Sequence, residues 1–232
     1  MTGSNRQSVA RQMLPVIDGP DAFCAAFRVS RETGARLQIY LDLLAFWQKS
    51  INLVAPKSLP EAWHRHVADS AQLLDLGSPN GLWIDFGAGA GFPGLVIAIL
   101  RAEIGGGPVS LVESDQRKCA FLSDVVRRTG IAKLIAVDIV NQRIESPATR
   151  AKLAGAGVVS ARAVAPLTSL LALSAPLFGP DTIGLFPKGR GIDTELAQAT
   201  TEWNFRHRLV PSRVDREGVI VEIGGPAAKT ED

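Results

Sequence analysis

Between Trp83 and Gly94 the chain reads Trp-Ile-Asp-Phe-Gly-Ala-Gly-Ala-Gly-Phe-Pro-Gly, and no other segment limits its possible folds so sharply. Trp83-Ile84-Asp85-Phe86 is a short, mostly apolar run suited to a buried strand, and Leu95–Leu100 suits a buried helix. Glycines at 87, 89, 91 and 94 stand between them. Alternate glycines let a backbone turn sharply and press against a ligand where a Cβ would clash. Pro93 suits a first helical turn, whose free N–H groups attract polar or negative groups. The expected occupant is a nucleotide-like ligand lying across a strand-to-helix turn.

Two ligand classes compete for that turn. Gly89, Gly91 and Gly94 spell G-x-G-x-x-G, the dinucleotide fingerprint. Asp85, Gly87, Gly89 and Gly91 spell acid-x-G-x-G-x-G, the turn of S-adenosylmethionine-dependent methyltransferases. The dinucleotide frame would place Gly87 and Ala88 in the strand, which glycine weakens. The methyltransferase frame ends the strand at Phe86 and sets Asp85 beside a cationic ligand, so it leads. In either frame Glu113, at the end of the next strand, could hold ribose hydroxyls. A nicotinamide-dependent oxidoreductase stays an alternative, although no Tyr/Lys or His/Asp hydride-transfer pair is evident. The single tyrosine, Tyr40, falls in the helical N-terminal part.

Residues 1–78 read as an N-terminal helical extension, with Leu37, Tyr40, Leu41, Leu44, Trp47 and Ile51 at helical spacing. Ser58-Leu59-Pro60-Glu61 has the form of a capping box opening a helix toward Leu74. Residues 79–232 alternate strands and helices, as a parallel sheet requires. Strands are expected at Leu82–Phe86, Val109–Glu113, Leu134–Val137, Val158–Ser160 and Thr182–Phe186. Helices are expected at Pro93–Arg101, Gln116–Thr129, Pro166–Leu177 and Asp193–Glu202. Phe205–Val210 and Gly218–Ile223 alternate like an antiparallel pair at the sheet edge. The predicted class is α/β, a Rossmann-like, doubly wound, seven-stranded sheet of the methyltransferase plan.

Composition narrows the setting. A chain of 232 residues, 46% hydrophobic, buries a sizeable core. Cys24 and Cys119 make neither a metal spacing nor a disulfide framework, so no metal and a reducing cytoplasm are expected. The stretch from Ala163 to Gly179 is broken by Pro166 and Pro176, which reads as a buried helix and not a membrane span. A net charge of +2 argues against non-specific coating of nucleic acid. Between Arg143 and Arg216, however, ten basic residues face six acidic ones, which allows a local basic face.

Six ordered motifs resemble the small-subunit ribosomal RNA methyltransferase G family, also called glucose-inhibited division protein B. They are Trp47 with Asn52-Leu53 and then His66-Val67-Ala68-Asp69-Ser70; the turn ending Pro93-Gly94; Glu113-Ser114 with Arg117-Lys118-Cys119-Ala120-Phe121-Leu122; Arg143-Ile144-Glu145; Arg162-Ala163; and Lys188-Gly189. Two positions depart from the family pattern. Val54 stands where threonine is usual, and Ala156-Gly157-Val158 lacks the aspartate that usually opens the fourth strand.

The resemblance implies methyl transfer from S-adenosyl-L-methionine to N7 of a guanine in 16S ribosomal RNA, on naked RNA or a small-subunit particle, by a cytoplasmic monomer. It assigns Gly87, Ala88, Gly89, Gly91 and Phe92 to the cofactor's methionine and ribose portion, and Glu113 to its ribose hydroxyls. Ile144 and Glu145 border the adenine. Arg162 contacts cofactor or target base, and Lys188 and Arg143 are candidates for RNA phosphates. An arginine paired bidentately to guanine O6 and N7 would block methylation, so Arg162 should reach O6 or a phosphate. His66 and Asp69, three apart, are expected to bridge neighbouring elements. Trp47 and Trp63 are expected in the core. The RNA surface is expected at the N-terminal helices, Lys188–Arg190 and Arg206–Arg213.

Overall fold

The computed structural model describes residues 12–229. Helices α1 (Pro20–Phe27) and α2 (Arg31–Trp47) come first, with Ser30 capping α2 by accepting the Thr33 N–H. The expected long helix from Ser58 does not form. Residues Pro56–Glu61 make a tight 3₁₀ turn, Trp63–Ala68 a wide π-helical turn, and Asp69–Ala71 a single turn, α3. Ser58 is no cap: its hydroxyl donates to Ala55 O at 2.7 Å and meets the His66 ring at 2.9 Å. Pro60, without an N–H, cannot continue an α-helical ladder there.

From Trp83 the chain alternates as β1 (Trp83–Phe86), α4 (Gly94–Ile104), β2 (Val109–Val112), α5 (Gln116–Thr129), β3 (Val137–Val140), α6 (Pro147–Lys152), β4 (Val158–Ser160), α7 (Leu167–Ser174), β5 (Ile183–Lys188) and α8 (Ile192–Glu202). The hairpin β6 (Trp203–Pro211) and β7 (Val219–Ala228) completes a seven-stranded sheet of order β3-β2-β1-β4-β5-β7-β6. Neighbours from β3 to β5 run parallel, and β7 is antiparallel to both β5 and β6. Strand order reverses between β1 and β4, which opens a crevice beyond their carboxyl ends.

The third strand lies later than its sequence suggests. Ile131–Lys133 is a 3₁₀ turn and Leu134 is half exposed, while Val137–Val140 pairs with Val109–Val112. Asp138 lies inside the strand, paired with Ser110 of β2, and its carboxylate meets Lys152 at 2.6 Å on the open face.

Leu37, Tyr40 and Leu44 of α2 share one core with Leu95, Val96 and Ile99 of α4 and Phe121 of α5. The N-terminal helices are therefore a layer on the sheet. Leu167, Leu170, Phe186 and Ile192 build the core of the opposite face. Trp63 packs on Phe23 at 5.6 Å between ring centroids, and Trp47 meets Phe121 edge-on at 6.0 Å while donating to Asp124. Both tryptophans are structural, as expected.

Arg101 ties the entry of β1 to α4. Its fully buried guanidinium donates to the carbonyls of Ser78 (2.5 Å), Gly81 (2.7 Å) and Pro108 (3.2 Å) and lies 5.1 Å from the Trp83 ring centre. Burial lowers its pKa to about 10, so it stays charged at neutral pH. Arg101→Met strands three carbonyls and should cost about 3 kcal/mol, a fall in melting temperature of roughly 6–12 °C. Thermal and urea unfolding check this, and a loss under 1 kcal/mol refutes it.

Candidate active site

The glycine turn is held from below by Asp85. This carboxylate is 1% exposed; its Oδ2 accepts the Gly94 N–H at 3.0 Å and its Oδ1 the Ser160 hydroxyl at 2.8 Å. Ser160 in turn accepts the Trp83 indole N–H at 2.9 Å. Gly94 has no room for more: a Cβ there would stand 2.3 Å from Leu111 Cδ2 and 2.7 Å from Asp85 Cβ. Asp85 thus fastens β1 to the first turn of α4, with both of its oxygens engaged by the chain itself.

Burial pushes the Asp85 carboxyl up to about 7, against the pull of Ser160, Gly94 and the Arg162 charge. In the unfolded chain it returns to the ordinary carboxylate range, so the fold favours its protonated form. That stabilisation is complete below about pH 4 and is lost as pH rises through about 7. Between pH 5.5 and 8.5 the wild type should lose about 2 kcal/mol that Asp85→Asn does not lose. Urea midpoints of both proteins at the two pH values decide it, and parallel slopes exclude the effect.

Gly87, Gly89 and Gly91 all take positive φ (63°, 54° and 89°), which the sharp turn requires. The Ala88 N–H donates to Val112 O at 3.0 Å and the Gly89 N–H to Glu113 Oε2 at 2.9 Å. Glu113 Oε1 also accepts the Asp115 N–H at 2.8 Å. Its carboxylate is therefore fixed at the lip of the turn, with lone pairs left for hydroxyl donors. Gly87, Glu113, Arg143, buried Ile144 and exposed Glu145 border a cavity of about 150 Å³ beyond β1, β2 and β3. A carboxylate, an apolar wall and a bare backbone turn suit an adenosyl group.

Arg162 stands in the loop after β4, and its surroundings come from far away in sequence. Its Nη1 donates to His66 Nδ1 at 3.2 Å, Arg65 O at 3.3 Å and Asp69 Oδ2 at 3.5 Å. The guanidinium carbon lies 5.0 Å from the centre of the Phe92 ring, on which His66 also stacks at 4.9 Å. Arginine only donates, so His66 Nδ1 accepts and its Nε2–H donates to Ser58 Oγ. Burial first, then the charges of Arg162 and Arg65, lower the His66 pKa to about 4, which keeps the ring neutral. Burial raises the Asp69 pKa, and Arg162 and Gln72 oppose the rise. His66 and Asp69 are bridges, as expected. Tyr40, which the sequence placed only in a helix, buries its hydroxyl against Ala90 O at 2.5 Å and supports Phe92 from 5.1 Å.

Arg162, Lys188 and Arg143 do not converge. Arg143 is at the small cavity, three strands from β4, whereas Arg162 and Lys188 line a second cavity of about 580 Å³. Nor does Lys188 offer an open cation. Its Nζ donates to Ala165 O and to Glu195 Oε2, both at 2.8 Å, and Glu195 also takes the Leu167 N–H that opens α7. The wider basic face is largely paired: Arg190 with Glu217, Arg208 with Glu222, and Arg213 with Asp75 at 3.6 Å.

The loop between β4 and α7 separates the two cavities. Arg162 and Ala163 line the larger and Val164 lines the smaller, close enough to Gly87 that a Cβ there would stand 2.6 Å from Val164 Cγ2. Ala163 holds φ 56°, uncommon for a residue with a side chain.

Residues 33–217 match the family model GidB, rRNA small subunit methyltransferase G. Ribosomal RNA small subunit methyltransferase G of Parvibaculum lavamentivorans is 50% identical over 212 residues, 91% of each chain. The protein of the same name from Methylorubrum extorquens is 49% identical over 195 residues, 84% of this chain and 90% of that one. A SAM-dependent methyltransferase from Aquifex aeolicus superposes with a TM-score of 0.50 at 14% identity, over 70% of this chain and 93% of the other, a likeness of fold alone. The expected doubly wound methyltransferase architecture is thereby borne out. With a family model spanning most of its length and close relatives along nearly all of it, the chain belongs to the rRNA small subunit methyltransferase G family.

Proposed function

We propose that this methyltransferase moves the methyl group of S-adenosylmethionine to N7 of a guanine in 16S ribosomal RNA, in the cytoplasm where ribosomal subunits are handled. The observation that carries this reading is the pair of cavities on either side of the Arg162–Val164 loop: one fit for an adenosyl group, the other large enough for a nucleotide. No helix among the described residues is long and apolar enough to cross a membrane.

S-adenosylmethionine supplies, when bound, a methyl group on a cationic sulfur. Guanine N7 carries a free ring lone pair that would accept this methyl group. No proton leaves N7, so the site needs no strong base. Its neutral histidine fits that requirement, since His66 is committed between Ser58 and Arg162. The work of the chain is to hold N7 at near-attack distance and to exclude water. Glu113 and Ile144 orient the adenosyl end, and the glycine turn lets the ligand approach the backbone. Charge moves from sulfur to base without being created, so fixed dipoles and charges along the line matter most.

The test is methyl transfer from labelled S-adenosylmethionine to ribosomal RNA and small-subunit particles from cells lacking this protein. The expected product is 7-methylguanosine in 16S RNA. Cofactor binding without label in RNA or subunits would shift the reading to a small-molecule or protein substrate.

A further inference from the structure

The larger cavity has a chemical direction along the sheet. It begins at Arg162 and Ala163 beyond β4, crosses Pro187–Gly189 at the end of β5, and finishes at Ser212 and Asp215 in the β6–β7 turn. The sheet order β1-β4-β5-β7 puts the glycine turn one strand outside the Arg162 end and Asp215 two strands inside it. At about 4.8 Å per strand, β4 and β7 stand roughly 10 Å apart, the length of a purine with a polar contact at each edge.

Several polar groups at the far end are already engaged. His64 accepts the Ile17 N–H at Nδ1 (3.2 Å) and meets Val214 O with Nε2 (3.1 Å). The Ser212 hydroxyl accepts from Val214 N and Asp215 N, both at 3.2 Å. Asp215 differs. Its Oδ1 accepts the Glu217 N–H at 3.0 Å, which fixes the carboxylate while lone pairs remain on both oxygens. Its charge acts across the cavity on Asp69, strengthening that carboxyl's hold on its proton.

We propose that this cavity takes the target guanine and that Asp215 selects it, accepting from N1–H and the 2-amino group. The inference rests on the reading of the chain as a guanine-N7 methyltransferase. A carboxylate offers two adjacent acceptors, and guanine presents two adjacent donors on its Watson–Crick edge. Adenine presents an acceptor at N1, which a carboxylate repels. N7 lies on the opposite side of the purine from the 2-amino group. A base held at Asp215 therefore turns N7 toward the β4 end, beside the cofactor turn. Arg162 at that end is positioned for O6 or a phosphate, and the acidic end sets orientation and identity.

The experiment is a cycle of protein and substrate changes. The methylated guanosine is first mapped with the wild-type protein, then replaced by inosine, which lacks the 2-amino group but keeps O6, N7 and N1–H. Wild-type kcat/KM should fall about ten- to hundredfold from guanosine to inosine. Asp215→Asn should fall about as much on guanosine, yet distinguish guanosine from inosine by no more than twofold. Asparagine can still cap Glu217, so the turn survives, and an unchanged melting temperature and cofactor affinity verify that. If Asp215→Asn keeps the wild-type preference for guanosine, Asp215 does not read the base and the inference fails. If the wild type methylates no guanosine at all, it is the underlying reading that fails.

Discussion

Gly89→Asp is expected to weaken S-adenosylmethionine binding at least a hundredfold, about 2.8 kcal/mol, while the protein stays folded. The two effects separate because the ligand-free turn has room at this point. A Cβ on Gly89 would meet nothing nearer than Gly87 O at 3.6 Å, and aspartate is among the side chains that tolerate φ near 54°. Folding should lose only about 1 kcal/mol. Binding fares differently, because the new carboxylate stands beside Glu113 Oε2, which already accepts the Gly89 N–H. It fills the face of the turn the ligand must approach and adds a second negative charge where hydroxyls are to be held. Gly89→Ala, with the Cβ and no charge, should fall between the two. Calorimetric titration with the cofactor, set beside a thermal melt, makes the comparison. Retention of wild-type affinity by the aspartate variant would remove the glycine turn from the cofactor site.

Arg162→Ala should lower kcat/KM for methyl transfer by about 10²–10³, the cost of removing a positioned charged donor from an active site. Its guanidinium is only 18% exposed and is aimed by His66, Asp69, the Arg65 carbonyl and the Phe92 face. These contacts are long and made by a single nitrogen, yet they place the cation beside the largely buried Asp69. Loss of the cation should therefore also cost about 1–3 kcal/mol of stability, which a thermal melt reads separately from the rate. Arg162→Lys restores the charge but not the planar fork and should recover only part of the rate. A threefold or smaller loss in the alanine variant would assign Arg162 to structure. A loss confined to cofactor affinity would place its contact on the cofactor instead of the RNA.

The elements that local sequence specifies were legible without coordinates. Helix α5 runs over Gln116–Thr129 as expected, because Asp115 caps it by accepting the N–H groups of Arg117 and Lys118 and Gly130 ends it in a left-handed turn. The β1 turn was equally clear, since its glycines take the backbone conformations for which they were inferred. Where local signals conflicted with tertiary demands, the sequence misled. Ser58 resembled a cap, but the hydroxyl is engaged by Ala55 and by a histidine eight residues on. The third strand, expected at Leu134–Val137, lies at Val137–Val140, because pairing with β2 and not local apolar content fixes its place.

The alternation of strands and helices, the glycine turn and the family are legible in the chain alone, because each is written in residues close together or in ordered motifs. What the charged residues do became visible only once the chain was folded. His66 and Arg162 are 96 residues apart, and they meet because the π-helical turn at Trp63–Ala68 lies over the end of β4. Lys188, which reads as a free cation, is bound by Glu195, and Arg143 sits three strands from Arg162. A charge's role depends on its partner and on how much water surrounds it, and spacing along a chain records neither.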